Sequence, residues 1–193
     1  MLSELPCIYA VGAEMAGKTT LVGFIEEAFG VPRLDGEIAR IVKDRYGSWW
    51  AIRSRGKNSD AYQRAEFEQQ LKMELATKPH YVADRCLLDS LAYTSEYGSC
   101  VKELWDRNDP ITAAIFGRLL SSIVFLVKPH REFSASDGER LVVSYEQQLR
   151  IDAKIELLLQ LCGIRPVRVE ALGAAQREEQ ISLYLEAKGF MRK

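Results

Sequence analysis

A chain of 193 residues with a formal net charge of −1 has the length of one domain and no charge excess for broad capture of nucleic acid or an anionic membrane. Its apolar share of 47% and charged share of 27% are those of a globular protein and argue against disorder. The four cysteines (Cys7, Cys86, Cys100, Cys162) show no CxxC spacing, and the two histidines leave little for histidine-based metal or triad chemistry. The N-terminus lacks a basic n-region and a long apolar h-region, and the longest apolar run, 123–127, is far too short to span a bilayer. The sequence therefore predicts a cytoplasmic protein (host cytoplasm if viral) with reduced thiols and no membrane partner.

Cys7-Ile8-Tyr9-Ala10-Val11 is a short, partly β-branched run closed by Gly12, and it predicts a buried strand. A helix is expected from Lys18, with Leu21, Phe24, Ile25 and Phe29 on one side and Gly30 as its stop. Val31 to Leu34 predicts a second short strand, and Asp35 and Gly36 then lead to a helix carrying Glu37, Arg40 and Ile41. Residues 60–78 form a long helical pattern through Tyr62, Ala65, Phe67, Leu71 and Leu75, closed by Pro79. Tyr81 to Ala83 predicts a strand ending at Asp84-Arg85, and 87–97 a helix stopped by Gly98. A helix from Pro110 to Leu120, a strand over 122–127 and a charged loop over 128–143 follow. The chain closes with a helix over 145–161, a strand over 166–169 and a helix over 176–188. Strands alternating with helices imply an α/β fold: a parallel, roughly five-stranded sheet flanked by helices in three layers, in one domain.

The sharpest signal is Gly12-Ala13-Glu14-Met15-Ala16-Gly17-Lys18-Thr19, which matches GxxxxGK[ST] between a strand and a helix. Glycines let such a loop turn its N–H groups inward around a phosphate, and the helix N-terminus adds partial positive charge. Residues 12 through Thr20 are therefore the candidate nucleotide site, with Lys18 reaching the β- and γ-phosphates of ATP and Thr19 holding Mg²⁺. Asp84, at the end of the 81–83 strand, is the second candidate metal ligand. The residue after it is Arg85, where a hydrolytic machine would place a water-activating Glu; arginine suits charge neutralisation on a phosphate. An ion pair between Arg85 and Asp89 is the structural alternative. No NKxD guanine-reading motif is present.

Asp84-Arg85-Cys86-Leu87-Leu88-Asp89-Ser90-Leu91-Ala92-Tyr93 resembles the DR-x-x-x-[DS]-x-x-AY element of thymidylate and deoxynucleoside kinases. Glu37-Ile38-Ala39-Arg40 resembles the E-x-A-R of AAA_28 and nicotinamide riboside kinase-like P-loop proteins. Asp137-Gly138-Glu139-Arg140 resembles their DG-x-R flap, and Arg177-Glu178-Glu179 their late R-E-[ER] segment. The resemblance touches nearly the whole chain in the expected order. It implies a P-loop kinase that moves a phosphoryl group from ATP, with Mg²⁺, to a nucleoside or nucleotide.

On that reading Lys18, Glu37, Asp84, Arg85 and Arg140 are the catalytic candidates. Glu37, or Asp35 beside it, would serve as general base, the alternative for Glu37 being an acid placed at a helix N-terminus by the dipole. Arg140 and Arg131 would close over the phosphates from a mobile LID at about 128–143. Asp35, Arg40, Tyr62, Phe67 and Gln70 are candidates for the acceptor pocket, with core packing the alternative for Phe67. The stretch 46–57, with Trp49, Trp50, Arg53 and Arg55, interleaves aromatic and basic residues. Either its tryptophans pack on the sheet, or the acceptor is DNA, as for phage hydroxymethyluracil DNA kinases. A slow nucleotide-binding regulator is the reading from a different class. Monomer and homodimer both fit the sequence.

Overall fold

The computed structural model describes residues 5–34, 45–46, 52, 57–105, 109–133 and 143–193. Four strands, β1 (Ile8–Val11), β2 (Val82–Asp84), β3 (Ile123–Val127) and β4 (Val167–Val169), form one sheet in the order β2-β1-β3-β4. All three pairings are parallel, with Ile8 opposite Val82 and Ile123, and Phe125 opposite Val167. The segment expected as a strand at 31–34 makes a single bridge, Arg33 to Val82, at the outer edge of β2. Two hydrogen bonds fix it there: Leu34 N–H donates to the Val82 carbonyl at 2.8 Å, and Val82 N–H donates to that of Pro32 at 2.9 Å. Pro32 has no N–H with which to extend the ladder. The sheet thus has four full strands and a fifth position held by one bridge.

The helices are α1 (Lys18–Phe29), α2 (Lys57–Ala76), α3 (Leu87–Tyr97), the short α4 (Val101–Leu104), α5 (Pro110–Leu120), α6 (Tyr145–Leu161) and α7 (Ala174–Ala187). Their ends follow local chemistry. Gly30 takes a left-handed conformation at φ 67° and ends α1 by donating to the Glu26 carbonyl. Asp109 caps α5, accepting the Thr112 N–H, with Pro110 in the first turn. Ser144 caps α6 through the Gln147 N–H.

Side chains alternate across the sheet, so each strand feeds two cores. Tyr9, Val11, Val124 and Leu126 pack on one face with residues of α2, α3, α5 and α6. Ile8, Ala10, Ile123, Phe125 and Val127 pack on the other with α1 and α7. Burial on both faces explains why β1 and β3 read as unbroken apolar runs.

One helix departs from the expected pattern. α2 begins at Lys57 rather than Asp60, and what it buries is a polar row of Ser59, Gln63, Glu66, Gln70 and Glu74 alongside Tyr62 and Phe67. Leu75, expected on the apolar face, is 44% exposed. The reason lies in what α2 covers: its polar row meets Tyr97, Thr94 and Ser90 of α3 and the hydroxyls of Tyr9 and Tyr81, which need partners.

Phe125 is fully buried on β3 and stacks edge-on against Tyr184 of α7 at 5.6 Å. Phe125→Ala is expected to cost about 3–5 kcal/mol in urea unfolding through the cavity it leaves.

Candidate functional site

The site is built at the C-terminal edge of the sheet. β1 runs into Gly12 at φ 141°, and a Cβ there would lie 2.4 Å from the Val127 carbonyl oxygen, so only glycine lets the loop pass over β3. Met15 follows at φ 60° and Gly17 at φ 95°, and the loop then enters α1. Gly17 offers no side-chain cap, and no acid occupies the first turn of α1. The first amides of α1 therefore have neither an intrahelical carbonyl nor a side-chain cap at Gly17, an arrangement that favours an anion.

Asp89 fixes this loop from below. One oxygen accepts the Gly12 N–H at 3.1 Å and the other the Cys86 N–H at 3.0 Å, tying the loop to the start of α3. Burial raises its carboxyl pKa, a trend that Arg85, Lys18 and the two N–H donors oppose. Lys18 folds back so that its ammonium donates to the Ala13 carbonyl at 2.6 Å. Burial, and next the neighbouring Arg85, lower its pKa to about 8, against the pull of Asp84, Asp89 and Glu14.

The pairing that puts Ala10 opposite Asp84 brings the end of β2 beside the loop. Thr19 Oγ1 donates to Asp84 Oδ2 at 2.5 Å. The other oxygen, Oδ1, is buried with no hydrogen-bond partner among the described residues. A hydroxyl and a carboxylate with an orphaned buried oxygen suit a hard cation bound mainly through water and phosphate. In keeping with so few protein ligands, the described residues contain no cluster of three His, Cys, Asp or Glu that could hold a metal.

Arg85 adopts φ 88°. Its N–H donates to the Ala10 carbonyl at 2.9 Å, and its own carbonyl accepts from Gln70 Nε2 at 3.3 Å. The guanidinium lies 4.3 Å over the Tyr93 ring, with Nη2 4.0 Å from Glu14 Oε1. Burial works against its charge, but Tyr93, Glu66, Glu14 and Asp84 outweigh that and hold it protonated. The carboxylate paired with Arg85 is thus Glu14; both oxygens of Asp89, the alternative considered above, serve main-chain N–H groups.

The family model described as AAA domain (AAA_28) matches residues 7–177. This chain belongs to the AAA_28 family. No curated protein matches it. Among solved structures, a NadR protein in complex with NR superposes at TM-score 0.69 and 15% identity, over 98% of this AAA_28 chain and 53% of that one. This chain therefore spans about half the length of that protein. Thymidylate kinase from Candida albicans follows at TM-score 0.60 and 13% identity, over 96% and 92% of the two chains. Deoxyadenosine kinase from M. mycoides, with bound dATP, gives TM-score 0.55 and 18% identity over 94% and 99%. The fold of this AAA_28 domain is that of the P-loop kinases.

Of the residues expected at the site of this AAA_28 chain, 12–20, Asp84 and Arg85 gather at one sheet edge. Asp35, Glu37, Arg40 and Arg140 lie outside the described residues, as do most of the 128–143 LID and Trp49, Trp50, Arg53 and Arg55 of the aromatic-basic stretch. Phe67 is buried in the main core. Tyr62 packs with Ile52 and meets Tyr46 edge-on at 6.3 Å. Gln70 is enclosed by Glu74, Arg85 and Ser90.

Glu66 and Glu74 escaped the sequence reading, and Arg177, singled out there by resemblance alone, was given no role. Glu66 is buried beside Arg85, its pKa raised by burial and held back by that cation. Arg177 of α7 donates to the carbonyls of Ala16, Ala171 and Lys128 at 2.5, 2.6 and 3.2 Å, and so braces the phosphate loop from the far end of the chain. Glu74 accepts from Tyr9 and Tyr81 at 2.6 and 2.8 Å and from Gln70 at 3.1 Å. The signal for Glu66 and Glu74 was the row Gln63, Glu66, Gln70, Glu74, whose spacing of three and four puts it on one helix face.

Burial raises the Glu74 pKa against the pull of its three donors. The native state therefore holds this proton more tightly than the unfolded chain. Its contribution to stability is full below the ordinary carboxylate range and is lost as pH rises through the native pKa. Glu74→Gln keeps the shape without the charge. Its stability relative to wild type is expected to improve as pH rises above the ordinary carboxylate range in denaturant titrations, and a pH-independent difference would contradict this.

Proposed function

We propose that this protein is an ATP-dependent phosphotransferase that moves the γ-phosphoryl group to a hydroxyl of a nucleoside or nucleotide acceptor. The observation that carries the reading is the convergence of Thr19, Asp84, Lys18 and Arg85 at the mouth of the 12–19 loop. An arginine, with no glutamate beside Asp84, favours transfer to an acceptor over hydrolysis.

The chain's own groups divide the work. Main-chain N–H groups of the loop and of the first turn of α1 hold the β- and γ-phosphates. Lys18 leaves the Ala13 carbonyl to contact them. Thr19 and Asp84 would hold Mg²⁺, which when bound offsets charge on the phosphate oxygens. The acceptor oxygen attacks the γ-phosphorus, the bond from that phosphorus to the β–γ bridging oxygen breaks, and ADP leaves. The hydroxyl proton passes to a carboxylate, for which Glu37, or Asp35 beside it, is our assignment. Arg85 lies on the acceptor side, where its fixed positive charge meets the transferring group, and Arg140 would arrive with the LID.

Labelled-phosphate transfer against a panel of nucleosides, monophosphates and DNA tests the reading directly. Lys18→Ala is expected to abolish transfer while leaving the melting transition in place. Turnover without Lys18, or nucleotide binding with no transfer to any acceptor, would overturn the assignment.

The Lys18 pKa of about 8 adds a pH signature. A triphosphate favours the charged ammonium, so affinity should fall as pH rises beyond that value, by up to about tenfold per pH unit. Calorimetry at alkaline pH, in buffers of differing ionisation heat, should show proton uptake on binding. Affinity unchanged across this range would mean that Lys18 does not titrate there.

A further inference from the structure

We propose that Gln70 is a positioning residue for Arg85 and does not read the acceptor. This rests on the phosphotransferase reading above, and it follows from hydrogen-bond accounting. A glutamine amide has two N–H donors and one carbonyl oxygen. Both donors of Gln70 are spent, one on Glu74 Oε1 at 3.1 Å and one on the Arg85 carbonyl at 3.3 Å. Its oxygen accepts from Ser90 Oγ at 3.4 Å. At 3% exposure the side chain is sealed from a bound acceptor, with no donor left to offer one.

What the amide does instead is set by the backbone it holds. Arg85 sits at φ 88°, a conformation that strains a non-glycine residue and persists only where neighbours over-determine it. Two contacts supply that determination: the Ala10 carbonyl takes the Arg85 N–H, and Gln70 takes the Arg85 carbonyl. Gln70 is itself held by Glu74, which Tyr9 of β1 and Tyr81 anchor through the same carboxylate oxygen. The Tyr9 and Tyr81 hydroxyls also lie 2.8 Å apart. Arg118 of α5 closes the network, donating to the Glu74 carbonyl at 2.5 Å and to the Tyr81 hydroxyl at 3.3 Å. The strand that leads into the phosphate loop and the residue that faces the acceptor are thereby referenced to one buried cluster. Release of the Arg85 carbonyl lets φ relax and swings the guanidinium off Tyr93 and Glu14.

Gln70→Met keeps the side-chain length and removes both donors. In labelled-phosphate assays kcat should fall about 10–100-fold, with KM for ATP and for the acceptor within about threefold of wild type. In an Arg85→Ala background the same change should have almost no further effect. Equal losses in both backgrounds, or a raised acceptor KM with altered preference among bases, would overturn the proposal. Should Gln70→Met fail to fold, Gln70→Asn, too short to span both partners, takes its place in the cycle. A second readout needs no activity. The Arg85 Nε–Hε signal in a ¹H–¹⁵N spectrum should be shifted by the Tyr93 ring current in wild type and should lose that shift in the variant. A wild-type protein that transfers no phosphate sinks the kinase reading, whereas a ring-current shift that survives Gln70→Met sinks the positioning role.

Discussion

Ala10 lies opposite Asp84 in the parallel pairing of β1 with β2, and the chemistry of the site follows from that alignment. Parallel strands end at the same edge of a sheet, so the loop after β1 and the acid at the end of β2 must meet. Thr19 and Asp84 bond across the junction, and Asp89 ties Gly12 to the start of α3. A slip of one residue in the register would turn Asp84 to the other face of the sheet and dissolve the pair.

Much of this was legible in the sequence because it depended on local chemistry. The 12–19 loop declares itself through glycines that only a turning backbone needs, and Gly30, Pro110 and Gly98 mark helix ends that the structure reproduces. The central strands declared themselves as unbroken apolar runs, the mark of burial on both faces. At the edge the same logic fails: Val31 to Leu34 is apolar enough for a strand, yet it holds only a bridge, because Pro32 cannot donate.

What could not be read was the partner of each polar group. Glu74 and Glu66 look like a solvated helix face and Gln70 like a pocket residue, since nothing local says that Tyr9, Tyr81, Arg118 and Arg85 will come to meet them. Their burial is tolerable because the cluster satisfies itself: two phenols, an amide and a guanidinium converge on one residue. Arg177 stood out by resemblance, but its role did not, because its contacts are to main-chain carbonyls of segments distant in sequence.

That arginine also ties the last helix to the opposite end of the chain. The sheet is complete at Val169, and a shortened protein ending soon after it would keep every strand. It would nonetheless lose the bolt that joins Ala16, Lys128 and Ala171, and with it the outer wall of the phosphate loop. The stretch shared with the AAA_28 family closes at this same residue. A brace as well as the core thus ties α7 to the 12–19 loop, although the two are far apart in sequence.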